Sequence, residues 1–195
     1  VVARTTGLVP EAVVLVATIR ALRYHGGQDA YGMPDPKAVK AGLANLEKHV
    51  ENVELFGYKP VIALNRFPSD APEEIALVRA FAEERGLPFA PSEVYAQGGE
   101  GGLELAERVL EALDLPHAYR PLYPLEASLE AKVEAIATRV YGAEGVEWSE
   151  EAKRALKAAK NRPVGRENVL WLREEGEIWF EFTHVRGKPG LVRPG

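Results

Sequence analysis

The chain has 195 residues with 46% apolar and 27% charged, close to the average for a globular protein, so long disorder, collagen and coiled coil are excluded. The net charge of −5 repels a polyanion on average, which argues against nucleic acid and an anionic membrane as partners. With no cysteine there are no disulfides, thiolate nucleophiles or Cys-ligated metals.

No apolar run approaches the 18 residues of a membrane span, and no basic segment followed by an apolar one marks a secretory signal. The expected location is therefore cytoplasmic. His25, His49, His117 and His184 have no metal-pair spacing, so no metal site is expected. Met occurs once and Gln twice against abundant Glu, Arg and Pro, a composition that leans thermophilic. A first residue of Val, with an apolar strand close behind it, leaves two readings: an unusual start codon translated literally, or a piece of something longer.

In chain order, Glu11-Ala-Val-Val-Leu-Val-Ala17 is a short Val-rich run that predicts a fully buried strand. Residues 18–36, with Gly26, Gly27, Gly32, Pro34 and Pro36, predict a loop. Asp35-Pro36 reads as an N-cap with proline at the first helical position. Val39, Leu43, Leu46, Val50 and Val53 then form one helical stripe that closes near Gly57. Pro60-Val-Ile-Ala-Leu64 predicts a second buried strand. Asn65 to Asp70 follows as a loop, and Asp70-Ala-Pro-Glu73 has capping-box spacing before a helix ending at Gly86. Pro88 to Val94 predicts a third strand whose two prolines place it at an edge. Tyr95 to Gly102 predicts a Gly-rich loop, and Leu103 to Leu113 a helix.

Three strand–helix units in succession predict an α/β fold with a parallel sheet and covering helices. In such sheets ligands bind beyond the carboxyl ends of the strands, where the three loops lie. Three strands make a small sheet, so strands supplied from upstream or by a partner are expected at its edges. The α/β portion is read as 1–116, and 117–195 as C-terminal helices and a hairpin. There, Ser128 caps a helix with the stripe Leu129, Val133, Ile136 and Val140, and Ser149 caps another reaching Lys160. Asn168-Val-Leu-Trp-Leu and Glu177-Ile-Trp-Phe-Glu-Phe predict a β-hairpin. The tail from Lys188 reads as irregular.

Several residues could carry chemistry. Gly98, Gly99, Glu100 and Gly101 lie between a strand and a helix, where backbone N–H groups can hold an anion; a tight turn explains them as well, and no lysine accompanies them. The strand–Asn–basic pattern of Asn65-Arg-Phe-Pro-Ser-Asp70 is similar to the base-reading strand of P-loop nucleotide-binding proteins. There Asn65 can read a purine edge and Phe67 can stack on a flat ring, against the alternative of a turn plus helix cap. Thr18, Arg20 and Arg23 lie where anions could bind, though surface arginines are usually solvated. Phe67 and Tyr95, from neighbouring strand ends, can sandwich a planar ligand or simply fill core. Spacing supports no Ser–His–Asp or paired-carboxylate arrangement, so no catalytic residue is assigned. No Gly-x-x-x-x-Gly-Lys-Ser/Thr motif occurs anywhere.

Five segments together, in order and spacing, resemble the formate–tetrahydrofolate ligase family. They run over residues 7–27, including Ala17-Thr-Ile-Arg-Ala-Leu-Arg-Tyr-His-Gly-Gly27; 42–52; Asn65-Arg-Phe-Pro-Ser-Asp70; Ser92-Glu-Val-Tyr-Ala-Gln-Gly-Gly-Glu-Gly-Gly102; and Tyr141-Gly-Ala-Glu-Gly-Val-Glu-Trp-Ser149. The resemblance covers residues 4–160 and implies the carboxyl-terminal part of such a ligase, with a partial P-loop-NTPase-like sheet.

It further implies ATP-dependent joining of formate to tetrahydrofolate through formyl phosphate, usually in a tetramer. The pterin ring would lie between Phe67, followed by Pro68, and Tyr95, with Asn65, Thr18, Arg20 and the Gly98–Gly101 loop nearby. Tyr95 stands where the family usually has Trp, and Gln97 where Lys is usual. The ATP part is not in this chain, so ATP with Mg would enter only with an N-terminal ligase part. Two functions follow: a folate-site portion of the ligase that is not self-sufficient, or a non-catalytic folate-binding or assembly module. The expected partners are a homo-oligomer or that N-terminal part.

Overall fold

The computed structural model describes residues 7–160, 180–185 and 188–192. They fall into two compact units, one of residues 9–120 and one of residues 7–8 with the described residues from 121 onward.

In the first unit, strands β1 (Val14–Ala17), β2 (Val61–Asn65) and β3 (Phe89–Ser92) form a parallel sheet in the order β1-β2-β3. The register pairs Ala17 with Leu64 and Asn65 with Ser92, so all three strands end at one edge of the sheet. Helix α1 (Ile19–His25) follows β1, α2 (Pro36–Leu55) leads to β2, and α3 (Pro72–Glu84) joins β2 to β3. Helix α4 (Val94–Gln97) and a 3₁₀ turn (Gly98–Gly102) then lead into α5 (Leu103–Leu113).

One face of the sheet carries the main core. Ala17, Ile62, Leu64 and Phe89 pack with Val39, Leu46 and Val50 of α2, Val78 and Ala82 of α3, and Ile19 and Leu22 of α1. Gly42 lies inside α2 because α1 crosses there: a Cβ on it would stand 2.0 Å from the Leu22 carbonyl oxygen. The opposite face meets α5, which lies against β3 and β2 and leaves Val61, Ala63 and Ala90 buried.

Four expectations about the elements of this unit are corrected. Strand β1 is not buried on both faces. Val14 and Val16 share the face of Val61 and Ala63, yet Val16 is 63% exposed, because α5 does not extend over β1. Residues 18–36 are not all loop: Thr18 accepts a hydrogen bond from the Ala21 N–H (3.1 Å) and starts α1, while the Gly and Pro cluster begins only at Gly26. The Gly-rich segment is not an open loop but a short helix and a 3₁₀ turn. The cap of α3 is shifted by one: Ala71 is the N-cap, and its N–H donates to the Glu74 carboxylate (3.2 Å). The caps at Asp35, Ser128 and Ser149 match expectation.

In the second unit, α6 (Leu129–Ala135) runs into a π turn (Ile136–Val140), and α7 (Glu150–Lys160) follows. Val133, Ala137 and Leu156 are buried. Lys132 is buried too, its Nζ donating to the Leu125 carbonyl (2.6 Å). Antiparallel strands β4 (Phe180–Val185) and β5 (Lys188–Val192) close the described chain. The tail from Lys188 is thus a strand through Val192 rather than irregular, since the backbone of 180–185 gives it a partner. The expected arm at 168–172 lies outside the described residues.

Candidate functional site at the carboxyl edge of the sheet

The register places three loop starts side by side, after Ala17, Asn65 and Ser92. Thr18 caps α1, and Arg20 lies in the first turn of that helix. The Arg20 guanidinium carbon stands 3.9 Å from the centre of the Phe67 ring and 5.1 Å from that of Tyr31. Arg20 and Phe67, 47 positions apart, therefore meet across the first two loops.

Phe67 is held by a closed turn. Its N–H donates to Asp70 Oδ2 (2.9 Å), and the Asp70 N–H donates back to its carbonyl (3.0 Å). Asp70 is 5% exposed, and its Oδ1 is buried with no hydrogen-bond partner among the described residues. Pro68 and Ser69 form the exposed crest of this turn, and Asn65 is half-buried at the end of β2.

On the third loop Tyr95 is 98% exposed and makes no ring contact among the described residues. The segment beneath it is firmly built. Glu93 accepts from Arg66 Nη1 (2.7 Å) and from the Gln97 side-chain amide, and its N–H donates to the Gly101 carbonyl (2.9 Å). A Cβ at Gly101 would lie 2.5 Å from the Glu93 carbonyl oxygen, and Gly98 has φ +61°, so both glycines have a structural role in the turn. Gly98, Gly99 and Glu100 are exposed. The sandwich pair thus reaches the same sheet edge on adjacent loops, but the two rings do not touch.

Arg23 is not an anion site. It is buried on Glu74, with Nε to Oε1 at 2.8 Å and Nη2 to Oε2 at 2.5 Å, and Nη1 donates to the Gly32 carbonyl (3.1 Å). Glu74 also accepts from the Asp35 N–H (2.9 Å) and the Ala71 N–H. Burial alone would push this carboxyl up; the hydrogen bonds from Arg23 and from the two N–H groups, with the Arg23 charge, outweigh it and hold it below the usual glutamate value. The pair joins α1, the 29–35 loop and the start of α3, and so anchors the segments that present Arg20, Tyr31 and Phe67. Sequence reading missed it, because nothing local links residues 51 positions apart.

Other features lie elsewhere. A cavity of about 290 Å³, lined by Glu130, Trp148, Lys153, Leu156 and Lys157, belongs to the second unit and contains none of the predicted site residues. Among the described residues, no group of three His, Asp or Glu side chains could hold a metal ion, and no helix is long and apolar enough to cross a membrane.

Comparison with known proteins bears on this edge. The sequence model of the family described as formate–tetrahydrofolate ligase matches residues 1–172. A formate–tetrahydrofolate ligase of Symbiobacterium thermophilum is 47% identical over 169 residues, covering 85% of this chain and 30% of that protein. One from Staphylococcus aureus (strain NCTC 8325 / PS 47) is 46% identical over 160 residues, 81% of this chain and 29% of its own length. The chain therefore spans about 30% of the length of the curated relatives it matches.

Proposed function

Since the chain belongs to the formate–tetrahydrofolate ligase family, we propose that it is the folate-site portion of such a ligase, contributing the pterin-binding edge and depending on the rest of the ligase for ATP chemistry. The observation that carries the reading is an aromatic on each of two adjacent loops at the carboxyl edge, within segments that resemble the family. Phe67 is fixed by the Asp70 turn, and Tyr95 is almost wholly open to solvent with its backbone pinned from below. A large exposed ring on a built loop has no packing role to explain it, and two rings on neighbouring loops suit a flat heterocycle. Pro68 would extend the apolar rim, and Asn65 would offer an amide to the ring edge.

The phosphoryl transfer from ATP to formate is assigned to the rest of the ligase. Phosphoryl chemistry depends on cations and backbone donors placed around the phosphates, and the chain contains no Gly-x-x-x-x-Gly-Lys segment. A second reading, a non-catalytic folate-binding or assembly module, shares the same pterin edge; it is favoured if added remainder of the ligase restores no turnover.

The test is titration of the chain with tetrahydrofolate by calorimetry under reducing conditions. Binding is expected to be weak, and Phe67→Ala should reduce it by more than about tenfold through lost stacking and apolar burial. Absence of binding at millimolar tetrahydrofolate by a folded chain overturns the reading.

A further inference from the structure

Arg20 differs from Arg23, Arg66 and Arg85 in its partners, and from Arg79, which also faces a ring but is exposed, in being half-buried. Arg23, Arg66 and Arg85 each engage a carboxylate, at 2.5, 2.7 and 3.2 Å. Arg20 is half-buried and lies within cation–π reach of Phe67 and Tyr31, yet it makes no hydrogen bond or ion pair among the described residues. Its position is thus set by two rings, while its five N–H donors, a rigid fork suited to oxyanions, are left for solvent. Fixing a cation in advance lowers the ordering cost of binding an anion. The Arg23–Glu74 pair, three residues on in the same helix, strengthens that fixation.

We propose that Arg20 is an anion-reading residue at the rim of the crevice, taking a carboxylate or phosphate group of a ligand whose flat ring stacks at Phe67. This rests on the folate reading above. The rings would therefore have two tasks: Phe67 takes the ligand's ring, and together with Tyr31 it keeps the guanidinium where the ligand's charged end passes.

Two measurements test this on the chain itself. In the first, tetrahydrofolate, which carries glutamate carboxylates, is compared with 6-methyltetrahydropterin, which has the same ring system and none. Arg20→Met should weaken tetrahydrofolate by about tenfold or more, the scale of a lost charge-assisted hydrogen bond, and leave the pterin within about twofold. Arg20→Lys should fall between, because it keeps the charge and loses the fork. Phe67→Ala should weaken both ligands. Equal losses of both ligands in Arg20→Met overturn the proposal and leave the folate reading standing, and so does no effect on either together with no saturable shift of Arg20 in the anion titrations below.

In the second, the arginine Nε–H resonances are followed by NMR during separate titrations with sodium acetate and inorganic phosphate. The Arg20 signal should move saturably with at least one anion, and which one distinguishes carboxylate from phosphate. Arg79 is the internal control: it lies 4.7 Å from the Phe89 ring at the opposite, amino-terminal end of β3. If neither pteridine binds and an anion still titrates Arg20, the folate reading falls and the anion site stands. An Arg20 signal that moves no more than that of Arg79 refutes the anion site.

Discussion

Removing the Arg23 side chain by Arg23→Met leaves the Glu74 carboxylate buried with its main counter-charge gone. The two side chains are 2% and 0% exposed, so solvent cannot substitute for the lost partner. Breaking a buried pair from one side costs about 3–5 kcal/mol. The Asp35 and Ala71 N–H groups remain as donors to Glu74, which puts the expected loss at the low end, about 3 kcal/mol. Urea unfolding should show this as a lower midpoint at unchanged slope. The double variant Arg23→Met with Glu74→Gln should recover part of the loss, because no buried charge remains unpaired.

The pH dependence has a definite sign. The folded Glu74 carboxyl lies below its unfolded value, so its contribution is fully present above about pH 4.3 and is lost as pH falls through the lower folded value. Glu74→Gln should flatten that acid limb. A loss of less than about 1 kcal/mol in Arg23→Met, or an acid limb unchanged in Glu74→Gln, would refute the view that this pair anchors the loops.

Four further outcomes are expected. Gly42→Ala should lower the melting temperature despite the gain of about 1 kcal/mol in helix propensity, because the added methyl meets the Leu22 carbonyl at 2.0 Å; a more stable variant would show that α1 and α2 can separate freely. The chain should self-associate at micromolar concentration through the uncovered face of β1, where Val14 and Val16 are exposed, and Val16→Lys should shift light-scattering mass toward the monomer. Tyr95→Trp should tighten tetrahydrofolate binding by enlarging the stacking face, and looser binding in calorimetry would count against Tyr95 as a wall of the site. The chain alone should release no ADP from ATP, formate and tetrahydrofolate above a blank, and measurable turnover would contradict dependence on the rest of a ligase.

What could be read directly from the chain was whatever depends on neighbours in sequence. The Val-rich run before Ala17, the Asp35-Pro36 start and Gly57 stop of α2, and the caps at Ser128 and Ser149 are local signals, and each appears where its residues stand. The parallel sheet followed from alternation of strands and helices, and with it the edge on which Thr18, Asn65 and Glu93 begin their loops. The helix at Ile19–His25 was hidden because the Gly and Pro cluster after it dominates any window containing both.

Tertiary structure alone decided the rest. Nothing within a few residues of Arg23 announces Glu74, nothing near Arg20 announces Phe67, and Gly42 reads as a weak helix residue until α1 crosses it. Val16 has the character of a buried strand residue and is exposed, since burial depends on what covers a face and not on the side chain that would prefer it. Local conformation is set by short-range sterics and hydrogen bonding, which sequence carries. Pairing across the sheet edge is set by where whole elements come to rest, and the Arg20–Phe67 contact on which the anion proposal stands exists only because β1 and β2 end side by side.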